Sequence, residues 1–475
     1  MLDQNEGLRE RAWEPEHEKY LGHLPDNSHV MRIQNRSGGL AAVYVSVRNF
    51  YRKYLKKYYA MQMVAMWTSQ KLLWVLLAFR LFFSVCKSRW RKLSLLSDYV
   101  ATKGIEKHQI VGSQELHLLL KDAVVSPMSD RELLQEREEK TDFPEIYVAV
   151  LKLVTVSGRS NFLLVDGVVV CHDLFDCHRD KTSEELHKVV MISPERKLMR
   201  WLMHDESPVK VPVAAVFTDA CAPNYAHWIT EVLPRITVFC AQERYKDIPI
   251  VVNGDLHANI MDSLLLVAGP DRGIIILDEG RMIIVDVLYV TSVTGYVPFG
   301  RRGNELRGHS HGLFSPHALK AMQEYIKQDK RLVDAYTDWP EKIFLRRDRG
   351  ARRVSNNDEV EQLVNAQGYR SVDVEKLTFL EQFQLFRNAK VVISPTGAAL
   401  ANAVFCRSGT KILVFMGKHR SMTYRYWENI LEPLGVIVIC GLGTIDKAKF
   451  LGVHGDFSMD RGDVEALMEM LKECA

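Results

Sequence analysis

No apolar run here is long enough to span a bilayer: the most hydrophobic segment, Leu72 to Phe83, is cut by Arg80 and stops short of the roughly 18 to 20 residues required. The start, Met1 to Glu18, is strongly charged and has no apolar core of a secretory signal, so a cytoplasmic location is expected. Cysteines are few. The eight of them lie between Cys86 and Cys474 without regular spacing, which excludes a disulfide-dense secreted scaffold and predicts reduced thiols. The tightest cluster, Cys171-His172 with Cys177-His178, lacks the spacing of a zinc knuckle, and no metal is expected. An excess of one charge is also missing: 62 Lys and Arg against 59 Asp and Glu leave a net charge of +3. That balance excludes a polyanion such as nucleic acid as partner of the whole molecule. No repeat of 20 to 50 residues occurs, which excludes a solenoid.

What is present is ordinary globular composition, 47% hydrophobic and 25% charged, on a chain of 475 residues. That exceeds the roughly 250 to 300 residues at which one core stops growing, so two or three domains are expected. Residues 1–105 read as a helical amphipathic extension. From Val43 to Tyr58, Val47, Phe50, Tyr51 and Tyr54 recur at helical spacing while Arg48, Arg52, Lys53, Lys56 and Lys57 fill the other face. A second helix is expected from Trp67 to Phe83, closing in Lys87-Ser88-Arg89-Trp90-Arg91-Lys92. Aromatics beside cations over residues 43–92 suit an anionic membrane surface on its cytoplasmic side; packing on the protein body or on another subunit is the alternative, and an oligomer is compatible with it.

Residues 106–338 begin with β-rich runs, among them Ile146 to Val150 and Phe162 to Val165, with turns at Ser157-Gly158 and Asp166-Gly167. Strands at Val211 to Val216, Ile248 to Val252, Gly273 to Leu277 and Val285 to Val290 then alternate with helices at Tyr225 to Ala241 and Ala258 to Val267, the rhythm of parallel βαβ units. Thr291 to Ser315 reads as a loop over a cleft. Residues 339–475 repeat the alternation, with strands at Lys342 to Leu345, Tyr369 to Val374, Lys390 to Ile393, Lys411 to Phe415 and Val436 to Cys440. The fold class is therefore α/β, the last unit being a Rossmann-like nucleotide-binding domain.

Three blocks carry chemistry. Ser394-Pro395-Thr396-Gly397-Ala398, with Asn402 four residues on, joins a strand to a helix expected from Ala398 to Phe405. Small residues there let a diphosphate approach the backbone, and a helix start complements its charge. The second block runs Arg346 to Glu359, with five arginines between a strand end and a helix cap at Asn356 or Asn357. Arg346 with Arg352 or Arg353 are expected on the phosphates, and Arg347 and Arg349 in solvent. The third is Asn224-Tyr225-Ala226-His227-Trp228-Ile229-Thr230-Glu231-Val232-Leu233-Pro234-Arg235. His227 and Glu231, four apart on a helix, project from one face and form a candidate general base; a buried structural hydrogen bond beside Trp228 is the alternative.

Taken in chain order, the three blocks resemble glycosyltransferase family 61, whose bacterial members carry Asn-Tyr-x-His-Trp-x-x-Glu-x-Leu-Pro-Arg, an arginine-rich block ending in Asn-x-x-Glu, and a Gly-Ala-x-x-x-Asn loop. Leu380-Glu381-Gln382, Tyr426-Trp427-Glu428-Asn429 and Gly455-Asp456-Phe457-Ser458 are lesser matches. The resemblance covers roughly residues 145 to 475. Many relatives have histidine before the Gly-Ala pair where this chain has Thr396, so that histidine's role does not carry over.

The resemblance implies a GT-B architecture, two Rossmann-like domains facing across a cleft, and inversion at the anomeric carbon. The donor, a nucleotide sugar and by expectation a uridine diphosphate sugar, would lie on Arg346, Arg352, Arg353, Asn356, Glu359, Gln382, Thr396, Gly397, Ala398 and Asn402. A glycan or glycolipid acceptor would lie near Asn224, Trp228 and Arg235, with His227 or Glu231 as base. The chain contains no Asp-x-Asp pair, consistent with metal independence and no cofactor, the arginines and the helix start neutralising the leaving diphosphate. Synthesis of a bacterial surface polysaccharide, capsule or lipopolysaccharide, is the expected setting, with the enzyme peripheral on the inner face of the cell membrane. The rival is a non-catalytic nucleotide-sugar sensor or assembly scaffold.

Overall fold

The computed structural model describes residues 30–34, 89–125, 132–187, 189–202, 205, 207–302, 311–330, 338–419, 422–446 and 452–473. The two amphipathic helices expected within residues 43–83 lie outside them. Where the second was expected to close, Trp90–Leu95 is a strand: Leu93 pairs with Val169 in parallel, and Arg91 with Met199 in antiparallel register. From Trp90 the side chains alternate with period two, burying Leu93, and two flanking strands satisfy the backbone, so pairing prevails over helix formation. A strand at Val30–Ile33 also joins the body, parallel to Ile274–Leu277. Among the described residues no helix is long and apolar enough to cross a membrane.

The larger sheet has 12 strands among the described residues. Five run parallel, in the spatial order Val30–Ile33, Ile274–Leu277, Ile250–Asn253, Val209–Val216 and Met282–Thr291. Beyond them Ile146–Ser157 adds antiparallel, Thr291 facing Val148 and Met282 facing Ser157. The β-rich lead-in is thus an extension of the parallel sheet. Its hairpin Leu163–Val165 to Val168–Cys171 turns on Asp166 (φ 49°) and Gly167 (φ 76°), the pair of left-handed residues a two-residue turn demands. Helices Tyr225–His227 to Leu233–Cys240 and Ala258–Ala268 cover one face, and Leu96–Lys103 packs on the other through Leu96, Tyr99 and Val100.

The second sheet is doubly wound. In space its strands run Arg370–Val372, Lys342–Leu345, Val391–Pro395, Lys411–Gly417 and Ile437–Ile445, all parallel, with Phe457–Ser458 antiparallel at the edge. Taken by chain order this is 2-1-3-4-5, so the winding direction reverses between Lys342–Leu345 and Val391–Pro395, where such sheets bind ligands. Alternation along the strands serves both faces. Ile343, Leu345, Val392, Ile412 and Val414 meet helix Phe379–Asn388, whereas Phe344, Ile393, Leu413 and Phe415 meet helices Asn357–Ala366 and Arg461–Glu473. One apolar cluster runs unbroken from Trp228 and Phe239 through Phe314 and Met322 to Phe379 and Phe405, joining the two sheets through helix Pro316–Lys327.

Candidate active site

The helix after Val209–Val216 starts at Asn224, whose side chain accepts from the Ala226 amide at 3.0 Å. It widens at once into a π turn, Trp228–Val232, before resuming as Leu233–Cys240. Pro234 is the physical cause: with no N–H and a ring that clashes with the carbonyl four residues back, it cannot continue an α-helix through Thr230. The Glu231 carbonyl, freed by the wide turn, accepts from Thr294 Oγ1 at 3.0 Å. Gly295 lies so close to the Thr230 carbonyl that a Cβ there would sit 2.5 Å from its oxygen.

On this turn His227 Nδ1 and Glu231 Oε1 are 2.5 Å apart. The second Glu231 oxygen accepts from the Val297 amide at 3.1 Å, which leaves Nε2 as the outward nitrogen of the imidazole. Burial works against the imidazolium, but Glu231 and, farther off, Asp219 outweigh it, and the His227 pKa is raised above the ordinary histidine value. Trp228, expected on the acceptor side, is fully buried, its Nε1 donating to Ser263 Oγ at 2.8 Å; it anchors the turn. Arg235 lies 5.7 Å over the Phe217 ring, its pKa lowered by burial and partly restored by Asp219 and Glu231.

Across from the dyad stands the reversal point of the second sheet. Thr396 is buried, accepting from Trp427 Nε1 at 2.9 Å, and Gly397 follows. A Cβ on Gly397 would collide with the Arg347 guanidinium, so Arg347, expected in solvent, lies directly against the loop. Its Nε donates to the Ala351 carbonyl at 2.9 Å, and burial lowers its pKa. Arg352 stands close by in a left-handed conformation, φ 61°, rare outside glycine and concentrated at ligand clamps. Burial, and then the charge of Arg347, pushes its guanidinium down to about 10. Glu375 and Asp456 are within electrostatic reach of Arg347, and Tyr426 of Arg352; an anion beside the two guanidiniums would relieve their mutual repulsion.

Arg346, expected on the phosphates, does not lie with Arg347. It faces helix Asn357–Ala366, held by Glu361 at 2.7 Å and by Asp348 at 3.2 Å. Strand parity explains this: Arg346 continues the face of Phe344, and Arg347 that of Leu345. Arg353 is likewise engaged, Nη2 donating to Asp456 at 2.7 Å. Asn356 takes the N-cap position but makes no capping bond; its amide donates to the Met459 carbonyl at 2.8 Å and to Glu359 at 3.0 Å, so this pair fastens the loop. Asn402 accepts from the Tyr225 hydroxyl at 2.6 Å and donates to Gln382 at 2.7 Å, while Gln382 holds the Val374 and Leu377 carbonyls. Tyr225 thereby ties the dyad's helix to the loop opposite. Ala398–Phe405, expected as an α-helix, winds as a 3-10 helix. Sequence reasoning also passed over Tyr426, which is within electrostatic reach of both Glu231 and Arg352; its position beside Trp427 in a quoted block was the available signal. Among the described residues no group of three or more His, Cys, Asp or Glu is placed to hold a metal.

Residues 225–413 match the family model described as Glycosyltransferase 61, a span that opens on Tyr225 and takes in the dyad, the arginine block and the Gly397 loop. No curated protein matches the chain. By that match, with the three blocks it encloses, residues 225–413 are similar to glycosyltransferase family 61, and the similarity supports a glycosyltransferase.

Proposed function

We propose that the two sheets work as a GT-B pair and that the protein transfers a sugar from a nucleotide sugar, by expectation uridine-linked, with inversion and without a metal. The observation that carries this reading is that Tyr426 lies within electrostatic reach both of Glu231, in the dyad with His227, and of Arg352, beside Arg347 at the reversal point. His227 Nε2 removes the proton of the acceptor hydroxyl. Glu231 fixes the ring through Nδ1 and stabilises the imidazolium that forms. The acceptor oxygen then attacks the anomeric carbon from the face opposite the diphosphate, whose growing charge falls on Arg347, Arg352 and the first amides of Ala398–Phe405. A sensor or scaffold needs no base, and the dyad disfavours that reading.

Transfer over a panel of nucleotide sugars, with the product's anomeric configuration read by NMR, tests the proposal. Transfer with inversion that persists in excess chelator is expected. Retention of configuration, or loss of activity with the chelator, would overturn the mechanism. Binding of uridine diphosphate without transfer or donor hydrolysis would favour the sensor. Cytoplasmic attachment and a role in surface polysaccharide synthesis belong to the same reading.

A further inference from the structure

Beside the dyad lies a second feature that the transfer step does not use, a cleft of about 380 Å³ including its open mouth. Glu231 and Val297, the residue whose amide holds Glu231 Oε2, form one wall. Opposite stand Asp219, on the loop leaving the carboxyl end of Val209–Val216, and Glu184. Asp219 is fixed by the Cys221 amide at 2.8 Å and by Asn161 Nδ2 at 3.0 Å; Glu184 accepts from Ser160 Oγ at 3.0 Å. Aromatic side chains also line it, Phe162 and Phe175 inside and Phe299, 51% exposed, at the rim. Apolar walls with a few fixed polar groups are how small-molecule sites are built.

An independent observation points to a ligand. Tyr296 lines the cleft at 9% exposure, and its hydroxyl has no hydrogen-bond partner among the described residues. Its ring packs 4.3 Å from that of His172, whose Nδ1 is likewise buried without a partner there. Unsatisfied buried polar atoms are few in folded proteins and call for a reason. Here both belong to side chains that line one cleft.

We infer that this cleft is the acceptor subsite and takes a single neutral sugar ring, its hydroxyls donating to Asp219 and Glu184 and meeting the Tyr296 hydroxyl, its apolar face against Phe299. The inference rests on the proposed function only in presenting a further hydroxyl of that ring to His227. Neutrality follows from the lining: Glu184, Asp219 and Glu231 face the space, and among the described residues no lysine or arginine lines it. Arg179, within electrostatic reach of Tyr296, is paired with Asp180 at 2.7 Å, and Arg235 is within electrostatic reach of Asp219 and Glu231. A uronic acid or a phosphorylated sugar would bring a further negative charge against the Asp219, Glu231 and Glu184 carboxyls. Burial, and then Asp219, raises the Glu184 pKa to about 7, so this carboxyl already resists a second negative charge beside it.

Saturation-transfer NMR on the full chain, with methyl glycosides of neutral hexoses and the matching methyl hexuronides as probes, tests the inference. Neutral glycosides should give a signal and hexuronides none. Tyr296→Phe should weaken the glycoside by about ten-fold, the worth of one hydrogen bond, without lowering the melting temperature, because it deletes a hydroxyl with no partner in the free protein. Phe299→Ala, at the exposed rim, should weaken it too in a folded protein. Equal binding of hexuronides, no signal from any neutral glycoside, or wild-type affinity in Tyr296→Phe would overturn the subsite. A chain that binds glycosides but transfers to none would overturn the proposed function alone; a chain that transfers sugar while neutral glycosides leave the cleft unlabelled would overturn the subsite alone.

Discussion

Arg346 and Arg347 are neighbours in sequence with opposite surroundings, and the difference makes a test. Arg346 is neutralised by Glu361 and Asp348, whereas Arg347 lies on Gly397 beside Arg352. A charge-assisted hydrogen bond to phosphate contributes about 1.5 to 3 kcal/mol. Arg347→Ala and Arg352→Ala should therefore each weaken uridine diphosphate binding by roughly ten-fold or more, and Arg346→Ala should leave it near wild type in a calorimetric titration. The reverse ranking would place the phosphates elsewhere. His227 makes a second residue-scale prediction. As a base it must be neutral, and its pKa is raised, burial opposing but Glu231 and Asp219 prevailing. The kcat/KM profile should accordingly rise with pH about a midpoint above the unperturbed value of about 6.5. Glu231→Gln removes the charge that favours the imidazolium, so the midpoint should move to lower pH while the plateau falls. A profile unchanged by that substitution would remove His227 from the base role.

At the scale of elements, the π turn and the Gly397 loop each depend on a glycine, for different reasons. A Cβ at Gly295 would meet the Thr230 carbonyl, which is backbone of the turn itself; one at Gly397 would meet the mobile end of Arg347. Gly295→Ala should thus lower the melting temperature, an overpacking cost of about 1 to 3 kcal/mol. Gly397→Ala should leave stability nearly unchanged and weaken donor binding by displacing Arg347. Equal loss of stability in both would show that the loop is structural. The second sheet was legible because its strands are short apolar runs between capped helices, with Thr378 and Glu381 forming the capping box of Phe379–Asn388. Trp90–Leu95 was not legible, since its partners lie some seventy-five and a hundred residues away, and local periodicity carries no trace of them. Nor was the orientation of Arg347, although strand parity contained it: extending the Ile343 and Leu345 face by one step gives Arg347 rather than Arg346. The π turn was foreshadowed by Pro234 inside an expected helix.

For the whole molecule, one apolar cluster and the Tyr225–Asn402 hydrogen bond set the dyad against the strand-to-helix loop at Gly397. The site's blocks could be read from local sequence, but their meeting could not, because it depends on how helix Pro316–Lys327 carries the chain from one sheet to the next. The basic segment at residues 43–58 bears on location. If it rests on an anionic membrane, each cation contributes roughly 1 kcal/mol, decaying over about 8 to 10 Å. The full chain should cosediment with anionic vesicles at low salt, be released at high salt, and lose binding when Arg48, Arg52, Lys53, Lys56 and Lys57 become glutamine; no cosedimentation of folded protein at low salt would refute attachment. The central claim is that His227 is the base of a sugar transfer whose donor sits on the opposite sheet. Single-turnover transfer by His227→Ala, with uridine diphosphate affinity measured on the same preparation, tests it most directly. The account predicts a rate lowered by about 10² to 10⁴ with nucleotide affinity unchanged; transfer at the wild-type rate would contradict it.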